Sequence, residues 1–487
     1  MQQKISKNFY SYFLYLSVFS VSTFILICLM SDVMAGVKKS GIMMGMGEVN
    51  YTPPVGLDLQ GNYRGNDYAS RGIHDSLYAR AIVVKNDQSE KIAMLTVDVC
   101  WIKRSAIQFM REYIAKNSDI KAENIMIMAT HTHSGPKPLL ESPGAKEFFE
   151  KAASAVLIAN QRLKPSKISV GRSNEARISF NRRLQCSDGS THMCWEKVAT
   201  PDFVVKPLGT VDPDVITVTV DQQGIQTGAI VNFGCHPATL TGNNWLYSAD
   251  FPGYMVESMK RVMGKDFCPL FFNGPCGNVT QIDYKIGHID TYQECQRIGY
   301  MLGVAAMESM RHRHYCYGNE VAVSRELVPL KHIAITDEQL NWAGKVMEKV
   351  KKEGMPPIQT DGIPDAQYAQ DWMELFKVQN RIDSLEVMVV RIGDIAFVGL
   401  PGEMFSEFGI EIKKKSPFTY TLVMGLTNDN QKYFPTEVSF SQGLKGFKPM
   451  ITGYETTPGT SLYDRGSGEK LTNSAITQLN KLFKIRP

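Results

Sequence analysis

The sequence predicts an α/β fold in which mixed β-sheets are flanked by helices within one large domain. Short apolar runs alternate with segments of helical periodicity, and three of those runs end in loops bearing histidine or glutamate. The apolar runs expected as buried strands are 92–99, 124–128, 215–220, 229–233, 269–272, 387–390 and 395–400. Helical spacing appears between them at 105–117, 145–162 and 291–310. Gly393-Asp394 between two strand runs is a hairpin signal, so the sheets are expected to be mixed rather than purely parallel. A surface helical pair is expected at 336–354 and 366–382, around a turn rich in Pro and Gly.

Composition is that of a soluble globular chain: 487 residues, 43% hydrophobic and 21% charged, with formal net charge +4. No basic face accumulates along the chain, which sets nucleic-acid binding aside. No repeat or low-complexity linker divides residues 36–487, which are read as one catalytic unit. Residues 1–35 read as a signal peptide. Lys4 and Lys7 precede an apolar run, and Val33-Met34-Ala35 fits signal peptidase, so a secreted or periplasmic protein is expected. The competing reading is an uncleaved N-terminal anchor, because the run is nearly long enough to span a bilayer. Eight cysteines follow Ala35, with no C-x-x-C pair. Cys186 and Cys194 flank a polar loop and are expected to suit a local disulfide, whereas Cys235 and Cys276 read as buried thiols.

Three strand runs deliver polar loops at their carboxyl ends. Run 124–128 leads to His131-Thr132-His133-Ser134-Gly135-Pro136, run 229–233 to Gly234-Cys235-His236-Pro237, and run 395–400 to Pro401-Gly402-Glu403. Open α/β sheets place ligand sites there. Two histidines and a carboxylate with one open position form a usual hydrolytic zinc set. His131 and His133 are two residues apart and would point the same way from an extended segment. Each residue also has an ordinary reading, the histidines as satisfied strand ends and Glu403 as a cap on the following helix. No G-x-S-x-G elbow, H-E-x-x-H, Walker A or strand-borne G-x-G-x-x-G is present, so metal hydrolysis is favoured by elimination.

The ordered motifs resemble the neutral (non-lysosomal) ceramidases. The resemblance begins at Tyr51-Thr52-Pro53-Pro54-Val55-Gly56 and Gly72-Ile73-His74-Asp75-Ser76-Leu77-Tyr78-Ala79-Arg80-Ala81. It peaks at Ala129-Thr130-His131-Thr132-His133-Ser134-Gly135-Pro136. It then continues through Asn181-Arg182, Cys235-His236-Pro237, Gly277-Asn278-Val279-Thr280, Pro401-Gly402-Glu403, Tyr433 and Gly453-Tyr454-Glu455. It implies one zinc per chain held by His131, His236, Glu403 and Tyr433, with His133 beside the water that the metal activates. It also implies that Arg182 and Tyr454 hold the acyl oxygen as charge develops, and that Thr280 stands where family members carry a substrate-positioning serine. Arg183, next to Arg182, is an alternative bearer of that role.

The expected activity is therefore zinc-dependent cleavage of the N-acyl bond of ceramide or a related N-acylated amphiphile, a lipid or other small molecule, with peripheral membrane contact. The alternatives are a metal-dependent deacylase or esterase acting on an acylated sugar, and a catalytically silent lipid- or glycan-binding relative. Two departures bear on substrate. Family members usually carry a further C-terminal β-sandwich domain, and their G-[DN]-x-S-P-N turn is here Gly277-Asn278-Val279-Thr280-Gln281. Two readings of the substrate cleft stand side by side: an apolar trough lined by Leu139, Leu140, Phe272, Phe405, Phe434 and Phe440, or a polar cleft rimmed by Lys137, Asn243, Asn244 and Lys432.

Overall fold

Alternation of apolar residues along each strand builds three sheets of one plan, each with a face toward a shared centre and a face under helices. The computed structural model describes residues 41–65, 67–137, 139–142, 144–356 and 362–485. The signal or anchor expected at residues 1–35 lies outside the described residues. Residues from Ile42 onward form one compact unit.

The first sheet contains β1 (Met43–Asn50), β2 (Tyr78–Lys85), β3 (Ile92–Val97) and β4 (Ile125–Ala129), in spatial order β4-β3-β2-β1. β1, β2 and β3 pair antiparallel, whereas β3 and β4 are parallel and joined through α1 (Arg104–Lys116). Val83, Leu95 and Ile127 point toward α1 and α2 (Ala145–Gln161), among Ile107, Met110, Ala152 and Val156. Their chain neighbours Ile82, Met94 and Met126 face the centre, as a period of two requires.

The second sheet repeats the plan. β5 (Lys167–Asn174), β6 (Asp214–Gln222), β7 (Ile225–Phe233) and β8 (Cys268–Asn273) lie in order β8-β7-β6-β5. β7 and β8 are parallel across α3 (Asp250–Met263), and α3 packs with α4 (Tyr292–Arg311) over Ala229, Val231 and Phe271. The Thr291 side chain caps α4 by accepting from Glu294 N.

The third sheet starts at β9 (Val321–Lys331) and leaves through α5 (Asp337–Glu353) and α6 (Asp365–Val378) before β10 (Ile382–Ile392) and β11 (Ile395–Gly399). Thr336 and Gln339 form a capping box on α5, and the pair has a small core of its own around Trp372, Ala343 and Ala369. From β11, α7 (Ser406–Lys415) crosses to β12 (Tyr420–Met424), which pairs parallel with β11, and α8 (Ser467–Phe483) completes the outer layer.

Met94, Met126, Ile230, Leu270, Phe272, Phe397 and Met424, drawn from all three sheets, share one central core. Burying each such side chain contributes about 1.5–3 kcal/mol, so the sheets cannot shift independently. The three parallel pairs are also stitched to one another. Asn428 N donates to Ile127 O at 2.7 Å, Gly425 N to Asn273 O at 3.2 Å, and Asn273 Nδ2 to Thr130 O at 3.2 Å. Their carboxyl ends therefore deliver three loops to one place.

Two expectations are corrected here. Phe272, Phe405 and Phe434 are core residues, almost fully buried, and do not line a trough. Phe440 is also buried, and Leu140 packs on the first sheet's outer core. Cys186 and Cys194 are free thiols. In their hairpin Cys186 N bonds Ser190 O, and Cys194 N bonds Arg182 O, so the two sit at opposite ends. Four residues of strand separate them by about 13 Å, well beyond the roughly 7 Å a disulfide spans. Among the described residues no helix is long and apolar enough to cross a membrane.

Candidate metal centre

His131 follows β4 by two residues and takes φ 77°, so it is not extended as the two-residue spacing suggested. A left-handed conformation costs a non-glycine residue free energy and is retained where function over-determines it. His131 N is fixed on Val99 O at 2.9 Å. His236 follows β7, and Glu403 follows β11. Glu403 and Tyr433 pair directly across a short parallel bridge formed by Glu403–Met404 and Tyr433–Phe434. The three loops bring His131 Nε2, His236 Nε2 and Glu403 Oε2 together in a buried cluster. The separations are 2.9 Å between the two nitrogens, 3.3 Å from His131 to Glu403 and 3.2 Å from His236 to Glu403.

Tautomers make this cluster informative. His131 Nδ1 lies 2.7 Å from Cys100 O, and His236 Nδ1 lies 2.9 Å from Cys276 O. A carbonyl only accepts, so each Nδ1 carries a proton and each neutral ring turns a lone pair on Nε2 inward. Two lone pairs and a carboxylate oxygen at this range repel unless a cation sits among them. Glu403 Oε2 is moreover buried without a hydrogen-bond partner. Donors on a tetrahedral zinc at about 2.0–2.1 Å lie about 3.3 Å apart, which the observed separations approach. Backbone carbonyls on the far nitrogens are the usual second support of metal-bound histidine. The donor set fits zinc.

The titration directions describe the same need for positive charge. Burial works to raise the Glu403 carboxyl, but the charge of His131 and the closeness of both imidazoles hold it well below the usual range. Burial, then Arg182 and His131, push His236 down to about 4. Burial opposes a proton on His131, yet the Cys100 sulfur and Glu403 outweigh it and hold His131 well above the ordinary value. The side chain of Glu403 faces the histidines, and the N-cap of α7 is Phe405, so the helix-capping reading fails.

His133 stands beside the cluster, its ring 4.9 Å from that of His131 and 5.4 Å from that of His236. Its Nδ1 lies 3.1 Å from Asn62 Oδ1 and donates to it, which leaves a lone pair on Nε2, buried and without a partner. Burial, then the charges of His131 and His236, hold His133 well below the ordinary histidine value, so it is a neutral acceptor. Cys100, His131 and His133 also form a compact donor group, within 4.8 Å of one another.

Arg182 Nη1 reaches to 3.3 Å from His236 Nε2, whereas Arg183 turns away toward Ser439 O, Gln442 Oε1 and Thr452 O. Arg182 is thus the cation of the site. Tyr433 brings its hydroxyl to 3.5 Å from His236 Nε2 with its ring parallel to the imidazole. Burial and the Glu403 charge hold that phenol well above its ordinary value. Tyr454 packs edge-on against Tyr433, centroids 5.6 Å apart. Thr280 lies on the strand beside Arg182, paired with Phe180, and its buried hydroxyl donates to Gln281 Oε1. Asn278-Val279-Thr280 has the form of an N-glycosylation sequon, but Asn278 is buried and bound to Glu407 and Ser406, which leaves no room for a glycan.

Three contributors escaped the sequence reading: Asn62, which orients His133, and the carbonyls of Cys100 and Cys276. Backbone acceptors leave no trace in residue type. Asn62 follows a glycine in an irregular loop, and that pairing was the only available hint.

Known proteins bear on this geometry. Residues 42–296, just over half of the chain, match the family model described as neutral/alkaline non-lysosomal ceramidase, N-terminal. The neutral ceramidase of Pseudomonas aeruginosa is 27% identical over 226 residues, covering 43% of this chain and 32% of that protein. The neutral ceramidase of Mycobacterium tuberculosis is 25% identical over 219 residues, covering 42% of this chain and 33% of that protein. The matched part is thus about a third of each relative's length. The crystal structure of neutral ceramidase from Pseudomonas aeruginosa superposes with TM-score 0.68 at 19% identity, covering 91% of this chain and 75% of that one. A ceramidase structure complexed with C2 matches equally, with TM-score 0.68 at 17% identity, and both likenesses concern the fold. The match across residues 42–296 places the chain in the neutral/alkaline non-lysosomal ceramidase family.

Proposed function

We propose that this protein is an exported zinc-dependent amidohydrolase that cleaves the N-acyl bond of ceramide or a related N-acylated amphiphile. The observation that carries the reading is the convergence of two lone-pair nitrogens and a carboxylate oxygen in a buried cluster whose tautomers are fixed from behind. His131, His236 and Glu403 would hold the zinc, with Tyr433 as a fourth donor, and a zinc there supplies Lewis acidity to an acyl carbonyl and to a water. The chain's own residues account for the remaining work. His133 Nε2 accepts the proton of the attacking water as the C–O bond forms. Arg182, with Tyr454, holds the acyl oxygen as it becomes negative. His133 then returns the proton to nitrogen as the C–N bond breaks, giving a carboxylic acid and an amine, between which the acid proton passes in solution to leave carboxylate and ammonium. Export, and residence outside the cytoplasm, rest on the signal-like residues 1–35.

The test is metal analysis of the purified protein together with a panel of N-acyl and O-acyl substrates. About one zinc per chain and release of amine and fatty acid from N-acyl substrates are expected. Hydrolysis confined to O-acylated sugars would replace this reading with the esterase one.

A further inference from the structure

Arg182 has a role in the proposed reaction, and a buried carboxylate fixes where its guanidinium points. Arg182 Nε donates to Glu455 Oε1 at 2.7 Å, and Arg183 Nη1 donates to Glu455 Oε2 at 2.8 Å. Glu455 and Arg183 are wholly buried, and the Arg182 side chain is 5% exposed. The two consecutive arginines differ in what they do with their remaining donors. Arg183 Nη2 lies on Ser439 O, Gln442 Oε1 and Thr452 O, and so ties both stems of the 443–451 loop to its own strand. Arg182 keeps Nη1 3.3 Å from His236 Nε2 and Nη2 buried without a hydrogen-bond partner. Its guanidinium carbon lies 5.2 Å from the Tyr433 ring centroid and 5.3 Å from that of Trp195.

Two guanidinium groups share the one carboxylate of Glu455, which leaves Arg182 a surplus of positive charge for the cluster it faces. Such a surplus suits a site where an oxygen becomes negative. We propose that Glu455 is the positioning residue for Arg182. By holding Nε it aims Nη1 and Nη2 at the metal cluster, where they bind the anionic oxygen of the carboxylate product or of the tetrahedral adduct. Arg183, held on the other oxygen of Glu455, keeps that carboxylate from turning into the site. Without the Glu455 charge, Arg182 would be drawn to the next carboxylate, Glu403, and would compete with the metal for it. The identity of the bound oxygen rests on the amidohydrolase reading; the anion-binding geometry does not.

Calorimetric titration of the zinc-loaded full chain with octanoate tests this without turnover. Arg182→Ala should weaken octanoate at least about tenfold, the scale of a hydrogen bond to a charged group. Arg182→Lys should bind as weakly as Arg182→Ala, because one ammonium cannot both hold Glu455 and reach the cluster. Glu455→Gln should cost about the same, yet add less than about twofold in the Arg182→Ala background, as residues acting through one group do. Wild-type affinity in Arg182→Lys, or additive losses in the double variant, would overturn the proposal. If Glu455→Gln fails to fold, Arg182→Lys decides it. Octanoate binding with the expected coupling, but no cleavage of any N-acyl substrate, would leave this inference standing and sink the amidohydrolase reading.

Discussion

His131 Nε2 and His236 Nε2 lie 2.9 Å apart although each ring keeps its proton on the opposite nitrogen, against a backbone carbonyl. A metal ion between the rings would satisfy both inward lone pairs, and on that reading the ligand variants have defined behaviour. His131→Ala, His236→Ala and Glu403→Ala should each lose bound zinc, by more than the roughly 10–100-fold that loss of an outer partner costs. Elemental analysis after gel filtration checks this. Stoichiometric zinc in both histidine variants would show that the cluster is not the metal site.

A second prediction concerns stability rather than chemistry. Glu386 on β10 accepts from Arg111 through both oxygens, at 2.8 and 3.1 Å, and from Arg325 at 2.6 Å. Burial works to raise its pKa, but these two arginines outweigh it and hold the carboxyl down at about 2. A depressed carboxylate stabilises the fold above its unfolded pKa, and that contribution disappears as pH falls toward the folded value. Stability should therefore decline between about pH 5 and pH 2, with about 3 kcal/mol of it belonging to this group. Glu386→Gln should lose a comparable amount at neutral pH and show a flatter acid limb in urea unfolding. An unchanged acid profile would remove Glu386 from the account.

The parts of the molecule legible in the sequence are those written in period and punctuation. β4, β7 and β11 are apolar runs closed by Gly or Pro, and each leads to a residue of the cluster. Thr336 and Gly354 bracket α5 as capping chemistry requires. What escaped was decided by contacts distant in the chain. The expectation that Phe272, Phe405 and Phe434 line a trough failed because three sheets and their helices close over them. The Cys186–Cys194 bridge failed because hairpin register, not loop polarity, sets the distance between those thiols. The backbone pairing of Glu403 with Tyr433 joins loops from β11 and β12; the family resemblance implied that the two residues meet, but neither loop's periodicity announces the bridge.

The loss of those three aromatic side chains to the core bears on substrate length. Each buried CH₂ of an acyl chain gains roughly 0.8 kcal/mol only where an apolar wall receives it. With most of the expected wall packed into the protein, cleavage of a short-chain N-acyl substrate should be at least as efficient as that of long-chain ceramide. Measuring kcat/KM across an acyl-length series decides this. A steep rise with length would restore a long apolar channel lined by other residues.

The last prediction separates metal ligands from the proton-transferring group. His133 is set by the two residues Gly61 and Asn62. Asn62 Oδ1 takes its Nδ1 proton at 3.1 Å, and Gly61 holds φ 104° with its Cα so near that a Cβ would come 2.6 Å from His133 Cγ and 2.9 Å from Nδ1. No side chain fits there without moving the imidazole. His133→Ala should keep its zinc and lose roughly a hundredfold or more in kcat, the contribution of a positioned general base. Gly61→Ala should keep zinc as well and lower kcat, because it tilts the same ring while leaving the ligands alone. Asn62→Ala, which frees the tautomer without displacing the ring, should cost less than either. If His133→Ala instead released zinc as readily as His131→Ala, the Cys100, His131 and His133 group would be holding the metal. The roles given to His133 and Glu403 would then have to be exchanged.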